Sequence, residues 1–271
     1  FLLYIYFIFL NLKKILKKKN LDILNDKFKK LSLNFYNKRF FFDIYEIDKL
    51  SFENNSFGLI REIFFRDIYL KFFKFSKPNE MYCIDLGCNI GIFSVLASKF
   101  FKKIISIDMN SKYEKPYNKI MLDNKVSNVV FFNYLVGEVD FHKKRFIQDS
   151  KILDFDKLLI SEKINNIFLK IDIEGHEFKL FEKINLDKVS GISMEIHQNE
   201  GDIEQLINKI SKNKFSYILT NDLSEIVNDK KKATYIYAAK KSSDIILKIW
   251  RLFLIKFFII KKDLLILLNF F

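Results

Sequence analysis

The chain has 271 residues, a formal net charge of +13 at neutral pH, two cysteines and three histidines. This length suits one large α/β domain with appended tails, while so few cysteines and histidines exclude a disulfide framework and disfavour a structural zinc site. Basic side chains outnumber acidic ones ten to two in residues 1–40 and seven to two in residues 240–271, whereas the middle carries 29 of each, so a nucleic-acid-binding domain is disfavoured.

Both ends of the chain combine basic and apolar residues. Residues 1–40 are interpreted as a basic and apolar N-terminal extension, whose opening Phe1–Leu10 has about half of the ~20 residues that span a bilayer. This opening is expected to belong to a longer signal or anchor helix. Residues 240–271 are predicted to form an amphipathic helix, suited either to a membrane interface or to packing on protein. Its basic side chains on one arc are Lys248, Arg251, Lys256 and Lys262.

Residues 41–80 are predicted to form a helical cap region. Its apolar residues are spaced to make one face of a helix that ends near Pro78: Ile60, Ile63, Phe64 and Phe72. We expect this helix to cover an edge or the mouth of the sheet that follows.

From Met81 the pattern changes to short β-rich runs that alternate with helical ones, as in parallel βαβ units. The predicted strands are Met81–Leu86, Lys103–Asp108, Val129–Asn133, Ile167–Ile173, Gly191–His197, Phe215–Leu219 and Thr234–Ala239. The predicted helices are Ile92–Phe101, Glu114–Asp123, Asp154–Ser161, His176–Ile184 and a segment with Ile203, Leu206, Ile207 and Ile210 on one face. An extra hairpin is expected around Val139–Lys143. The catalytic domain is therefore predicted to span residues 81–239.

The first strand ends in Asp85 and turns through Gly87 and Gly91 into a helix. Glycines permit the tight turn, and free N–H groups at the helix start favour an anionic ligand group. Asp108 ends the second strand, where an acid in such folds accepts hydrogen bonds from ribose hydroxyls. The combination predicts an adenosine site rather than a merely structural turn, and the Gly-x-x-x-Gly spacing weakens a dinucleotide interpretation.

The fourth and fifth predicted strands carry polar side chains on one face and at their carboxyl ends. Period two places Lys170 and Asp172 on one face of the fourth strand, and Glu195 and His197 on one face of the fifth. If these strands neighbour the first, the polar groups converge with Asp85 in the crevice where open α/β sheets bind ligands. A structural ion pair between Lys170 and Glu195 is the alternative for those two residues.

These motifs resemble the FkbM-type family of S-adenosylmethionine-dependent methyltransferases over about residues 81–200. The D-x-G-x-N-x-G loop corresponds to Asp85, Gly87, Asn89 and Gly91. The K-x-D-x-E-G-x-E stretch corresponds to Lys170, Asp172, Glu174, Gly175 and Glu177, and the E-x-H strand to Glu195 and His197. The chain departs from the family pattern in having Asp108 in place of the commoner Glu, Met109 in place of Pro and Ile152 in place of Thr.

The resemblance implies an α/β, Rossmann-like class I methyltransferase fold: a mostly parallel seven-stranded sheet with helices on both faces, extended here by helical N- and C-terminal segments. It implies S-adenosyl-L-methionine as cofactor, bound by Asp85, Gly87, Asn89, Gly91 and Asp108. The implied catalytic residues are Lys170, Asp172, Glu174, His176, Glu195 and His197. His197 or His176 would be the general base and Asp172 and Glu174 would orient the acceptor; holding a divalent ion is their less favoured role, and no metal is assigned.

The expected reaction is O-methylation of a small molecule or glycan in the cytoplasm, with no nucleic-acid partner. Peripheral contact with the inner face of a membrane, through the basic apolar ends, is a further hypothesis. Two alternatives stay open: an NAD-dependent oxidoreductase, and a non-catalytic membrane-associated module that keeps the methyltransferase fold. RNA methylation is disfavoured by the neutral middle of the chain.

Overall fold

The computed structural model of the chain describes residues 28–53, 55–136, 151–161 and 164–241. Three predictions fall outside these ranges: the N-terminal extension up to residue 27, the hairpin around Val139–Lys143, and the C-terminal helix from residue 242 onward. Within the described ranges, no helix is both long enough and apolar enough to cross a bilayer.

The described part begins with a β-hairpin where a helical extension was expected. Strands β1 (Leu31–Phe35) and β2 (Lys38–Phe42) pair antiparallel around the two-residue turn Tyr36-Asn37. Both turn residues have positive φ, 50° and 60°, as in the type I′ turn that matches the twist of a hairpin. The period-two alternation of Leu31, Leu33 and Phe35 with polar residues therefore overrides the helical interpretation of this segment.

The cap region is helical only in its first half. It contains α1 (Ile44–Ser51) and α2 (Ser56–Ile60), and the latter continues as a π-helical turn over Arg61–Phe65. Ile60, Ile63 and Phe64 are buried, as the predicted apolar face requires. The helix ends well before Pro78, because Asp67 has a left-handed backbone conformation with φ of 49°. Phe72 is buried as predicted, but it belongs to a non-helical segment.

Eight strands form the central sheet of the described residues. They are β3 (Tyr82–Leu86), β4 (Lys103–Asp108), β5 (Val129–Leu135), β6 (Lys151–Ile152), β7 (Ile167–Ile171), β8 (Val189–Glu195), β9 (Ser216–Thr220) and β10 (Tyr235–Ala239). Their order is β6-β5-β4-β3-β7-β8-β10-β9, and only β10 runs antiparallel to its neighbours. The predicted mostly parallel α/β sheet is confirmed, with seven strands as expected and the two-residue β6 added at one edge.

Helices cover both faces of the sheet. They are α3 (Ile92–Ala97), α4 (Glu114–Asp123), α5 (Phe155–Ser161), α6 (Glu177–Lys183) and α7 (Ile203–Lys212), with short 3₁₀ turns at Pro78–Glu80, Ser111–Tyr113, Gln198–Glu200 and Lys230–Lys232. The cap, α3 and α4 pack in one apolar cluster, whereas α5, α6 and α7 pack in the other. Helix α7 is the clearest sequence prediction confirmed, since it buries all four of its predicted apolar residues.

The alternation in β7 shows how the sheet divides these two clusters. Ile167, Leu169 and Ile171 belong to the cluster under α5 to α7, and Phe168 belongs to the cluster under the cap. All five residues of β7 are buried because protein covers both faces. Strands β3, β7 and β8 are direct neighbours, so their carboxyl ends meet at one edge, as the sequence predicted.

Candidate active site

A cleft of about 240 Å³ opens at the carboxyl edge of the sheet. Three of the predicted cofactor-binding residues line it: Gly87, Asn89 and Asp108. Five of the predicted catalytic residues line it as well: Lys170, Asp172, Glu174, His176 and Glu195. Among the predicted site residues, Asp85, Gly91 and His197 do not contribute to its wall.

The glycine turn after β3 is shaped by close packing against β7. Gly87 has φ of +72°, and a Cβ atom built on it would lie 1.7 Å from the backbone oxygen of Asp172. Gly91 has φ of +88°, and a Cβ atom there would lie 2.5 Å from the ring of Tyr117 on α4. Gly91 therefore serves the packing of α3 against α4 rather than direct contact with a ligand in the cleft.

Asp108 faces the cleft with both carboxylate oxygens already oriented. Oδ2 accepts a hydrogen bond from the backbone N–H of Asn89 at 2.8 Å, and Oδ1 accepts one from Asn110 at 2.9 Å. Burial raises the pKa of Asp108 to about 6, although the two backbone donors act in the opposite direction. Each oxygen has a second lone pair, so the carboxylate can still accept from a diol.

Asp85 lies beneath the cleft and not in it, which corrects its prediction as a cofactor-binding residue. Its side chain is fully buried, Ser94 Oγ donates to Oδ2 at 2.6 Å, and Lys170 Nζ lies 3.0 Å from Oδ1. The chain of polar contacts continues from Ser94 to Ser106 and on to Tyr117, at 2.8 Å each. An acid so enclosed cannot touch a ligand, and it supports the turn above it instead.

Lys170 is held by Asp85 and by the glycine turn. Its Nζ donates to the carbonyl oxygen of Gly87 at 2.7 Å, and the ammonium lies 5.0 Å from the ring centre of Tyr69. Burial alone would lower the pKa of Lys170, but Asp85 and Asp172 raise it above its ordinary value. The sequence offered a structural ion pair between Lys170 and Glu195 as the alternative. Lys170 instead forms its ion pair with Asp85, which lies beside it on the neighbouring strand β3.

Asp172 follows β7 and is oriented by the cap. Tyr69 Oη donates to Asp172 Oδ2 at 2.7 Å, and Lys170 Nζ lies 3.9 Å from the same oxygen. Tyr69 is buried against the ring of Phe93, with ring centres 5.2 Å apart, and both residues line the cleft. Burial and Asp172 together raise the pKa of Tyr69 well above its ordinary value, so this phenol stays a hydrogen-bond donor.

Glu195, at the end of β8, is an acid with a raised pKa on the side of the cleft formed by β7 and β8. Burial, and then the negative charge of Asp172, raise its pKa to about 7. His176 caps α6 and lines the same cleft. The Glu195 carboxyl therefore changes its protonation state near neutral pH, where it can exchange a proton with a ligand.

His197 faces a neighbouring pocket, which it shares with Glu174 and the 3₁₀ turn at Gln198–Glu200. Its Nδ1 lies 3.1 Å from Glu177 Oε1, and its Nε2 lies 3.5 Å from Glu174 Oε2. The hydrogen bond to Glu177 raises the pKa of His197 to about 9, although burial acts to lower it. The imidazole is thus charged near pH 7, where it donates hydrogen bonds and does not accept a proton.

Asp172, Glu174 and His197 nonetheless approach one another closely. One oxygen or nitrogen atom from each lies within 4.8 Å of the others. The ends of β7 and β8 therefore lie on one side of the sheet edge, as the predicted convergence requires. Within this group, His197 and Glu174 form an ion pair.

Two residues that orient this site, Tyr69 and Glu177, were not among the predicted site residues. Tyr69 belongs to a non-helical segment of the cap and contacts Asp172 across 103 positions, so no local pattern indicates it. Glu177 is the last letter of the K-x-D-x-E-G-x-E stretch and the first residue of α6, so its place in that motif was a signal that could have found it.

Residues 127–219 match the family model described as the methyltransferase FkbM domain. This match confirms the resemblance over the part of the chain that contains Lys170 to Glu177 and Glu195 to His197, and it agrees with S-adenosyl-L-methionine as cofactor. The glycine turn and Asp108 lie before the matched segment. No curated protein matches the chain.

Three solved structures illustrate what the chain is similar to, each at 12% identity. An rRNA methylase from Streptococcus thermophilus has a TM-score of 0.40, with 65% of this chain and 91% of that one covered. Precorrin-6y C5,15-methyltransferase from Geobacter metallireducens has a TM-score of 0.37, with 60% and 81% covered. A SAM-dependent methyltransferase from Aquifex aeolicus has a TM-score of 0.39, with 73% and 98% covered.

Proposed function

We propose that this chain, which carries an FkbM-type methyltransferase segment, transfers the methyl group of S-adenosyl-L-methionine to a hydroxyl oxygen of a small molecule or glycan. The observation that carries the proposal is the division of one cleft into two halves. Asp108 and the glycine turn lie in the half formed by β3 and β4. Asp172, His176 and Glu195 lie in the half formed by β7 and β8.

The first half fits the chemistry of an adenosine-containing cofactor. Asp108 offers oriented carboxylate oxygens for a ribose diol, and the backbone of Gly87 to Asn89 borders the same space. Apolar side chains suited to a flat base line the adjoining wall: Ile107, Met109 and Val136. When bound, S-adenosyl-L-methionine supplies a methyl group on a positively charged sulfur, which makes it electrophilic.

The second half supplies the groups that a hydroxyl acceptor needs. Tyr69 holds Asp172 in place, so this carboxylate can orient the acceptor through a hydrogen bond. Glu195 is assigned as the general base, because its pKa of about 7 lets its carboxylate take up the hydroxyl proton near neutral pH. His176, which lines the same half, is the alternative base.

In this proposal Glu195, and not His197, acts as the base. A group with a pKa of about 9 is protonated at pH 7, so it cannot accept the hydroxyl proton. Its contacts with Glu174 and Glu177 instead make it part of the wall between the cleft and the neighbouring pocket.

Cofactor binding tests the proposal without knowledge of the acceptor. We expect S-adenosylhomocysteine, and not NADH, to bind the chain in isothermal titration calorimetry. Replacing Asp108 with alanine removes two charge-assisted hydrogen bonds to the ribose, so the Kd should rise on the order of 10- to 100-fold.

A matched control is Glu182→Ala, which removes an exposed acid on α6. This variant should bind S-adenosylhomocysteine as the parent chain does. Binding of NADH with no binding of S-adenosylhomocysteine would replace the proposal with the oxidoreductase alternative. An unchanged Kd in Asp108→Ala would remove the adenosine site from this cleft.

A further inference from the structure

We propose that Glu177 is a positioning residue, which ties the loop after β7 to the end of β8 and thereby holds Glu174 and His197 at the wall of the cleft. The inference rests on the proposed function for its catalytic consequence. The structural tie itself follows from contacts among described residues alone.

Glu177 is a fully buried carboxylate with three donors directed at it. Oε1 accepts hydrogen bonds from the backbone N–H of His197 at 2.7 Å and from its Nδ1 at 3.1 Å. Oε2 accepts one from the backbone N–H of Gly175 at 2.9 Å. Burial alone would raise the pKa of Glu177, but the hydrogen bonds from His197 hold it below its ordinary value. A buried charge is costly unless it is paired, and here each partner belongs to a segment bordering the cleft.

The loop that Glu177 holds has an unusual backbone. Glu174 and Gly175 both have left-handed conformations, with φ of 52° and 98°. Such a conformation is unfavourable in a non-glycine residue and persists only where surrounding contacts impose it. The hydrogen bond from Gly175 to Glu177 is one of those contacts, so it helps to fix the turn that presents Glu174 and His176 to the cleft.

The imidazole of His197 is oriented by the same carboxylate. Because a carboxylate only accepts, Nδ1 carries a proton and Nε2 is directed toward Glu174. The charged groups around His197 are Glu177 from α6, Glu174 from the loop and Glu195 from β8, and the same pocket is lined by Glu200, Lys231 and Lys232. The carboxylates dominate, so the imidazolium is stabilised and Glu174 is held beside it.

Glu177 itself does not line the cleft. It acts through Glu174, His176 and His197, and a small displacement of such groups costs catalysis more than binding. Misplacing a reacting group by about 1 Å can cost on the order of 100-fold in rate. Cofactor affinity depends on the other half of the cleft and should change little.

The test is an NMR titration of the histidine imidazoles in the full chain. There are three histidines, His142, His176 and His197, and the signal that disappears in His197→Gln identifies the last of them. We expect His197 to titrate near 9 in the parent chain. In Glu177→Gln and Glu177→Ala the titration midpoint should fall toward the ordinary value of about 6.5. Glu182→Ala, on the same helix and exposed, should leave it unchanged.

Kinetics and folding complete the test. With a methyl acceptor in hand, Glu177→Gln should lower kcat by roughly 10- to 100-fold with KM nearly unchanged. Its affinity for S-adenosylhomocysteine should stay within about twofold of the parent value, which shows that the variant is folded. An ordinary titration of His197 in the parent chain, or a raised midpoint that survives in Glu177→Gln, would overturn the proposal.

Failure of the two proposals can be told apart. The titration needs neither acceptor nor turnover, so a tie through Glu177 would be seen even if no methyl transfer occurs. Conversely, S-adenosylhomocysteine binding that depends on Asp108, together with an ordinary His197, would remove the role of Glu177 and leave the proposed function intact.

Discussion

Two carboxyl groups in the same half of the cleft differ because their surroundings differ. Asp172 accepts a hydrogen bond from the phenol of Tyr69 at 2.7 Å and lies 3.9 Å from the ammonium of Lys170. Glu195 is half-buried; its partial burial and the nearby negative charge of Asp172 oppose its ionisation and raise its pKa to about 7. Two acids in different environments are typical of sites where one group orients a ligand and the other moves a proton.

The raised pKa of Glu195 predicts how the rate of methyl transfer depends on pH. An acid with a folded-state pKa of about 7 is mostly protonated below that pH and becomes a competent base above it. We therefore expect the rate of methyl transfer to rise with pH through about 7 and then to level off. Glu195→Gln should lower kcat on the order of 10²- to 10⁴-fold. The measurement is transfer of labelled methyl groups to a panel of glycans and lipid-linked sugars.

The control is cofactor binding by the same variant. Glu195→Gln should bind S-adenosylhomocysteine as the parent chain does, because Asp108, the proposed ribose acceptor, lies in the other half of the cleft. A rate that is flat between about pH 6 and 8, or that Glu195→Gln leaves unchanged, would shift the role of base to His176. No transfer by the parent chain to any acceptor in the panel would favour the non-catalytic module.

Among the elements, the turn after β3 requires glycine, because there is no room for a Cβ atom at Gly87. The backbone of Gly87 passes so close to the end of β7 that a methyl group would overlap the carbonyl oxygen of Asp172. The same turn lies under Asn89, whose backbone N–H orients Asp108. The orientation of Asp108 therefore depends on the turn after β3, and the turn depends on the close pairing of β3 with β7.

Gly87→Ala should separate β3 from β7 at the edge that forms the cleft. We expect a loss of stability of roughly 1–3 kcal/mol or more, from the positive φ and the overlap together, and loss of measurable S-adenosylhomocysteine binding. Urea denaturation and calorimetry measure the two effects.

The chain offers a matched control in Gly58, within α2. A Cβ atom there would meet nothing nearer than 3.9 Å. Because alanine is the better helix former, Gly58→Ala should leave stability unchanged or raise it by up to about 1 kcal/mol. If Gly87→Ala behaved like Gly58→Ala, the close approach of β3 and β7 would be wrong.

For the whole molecule, the charge distribution separates the ends from the catalytic body. The excess of basic residues lies in residues 1–40 and 240–271, and residues 41–239 are balanced. The prediction of peripheral membrane contact rests on these ends and stays a prediction, since most of their residues lie outside the described ranges.

Removing residues 242–271 should weaken binding to anionic vesicles. Basic residues near an anionic surface each contribute about 1 kcal/mol, and an amphipathic segment adds its apolar face. The measurement is co-sedimentation with vesicles of neutral lipid containing about one third phosphatidylserine, at low and high salt. Binding that persists undiminished in the shortened chain would exclude the role assigned to this segment.

Much of the fold could be predicted because its signals are local. The alternation in β7 and the helical spacing of Ile203, Leu206, Ile207 and Ile210 reflect which side of an element is buried, and those patterns were confirmed. The hairpin at Leu31–Phe42 was missed although its alternation is also local, because a helical interpretation of the surrounding residues overrode it.

Local patterns were enough to predict the family resemblance, the order of strands and helices, and the residues expected near the carboxyl edge of the sheet. Tertiary structure alone decided what each of them contacts. Lys170 pairs with Asp85, 85 positions away along the chain, because β3 and β7 lie in register, and His197 meets Glu177 because α6 packs beside the end of β8. A side chain's pKa, and hence its chemical role, follows from such distant neighbours, which no pattern within a single element records.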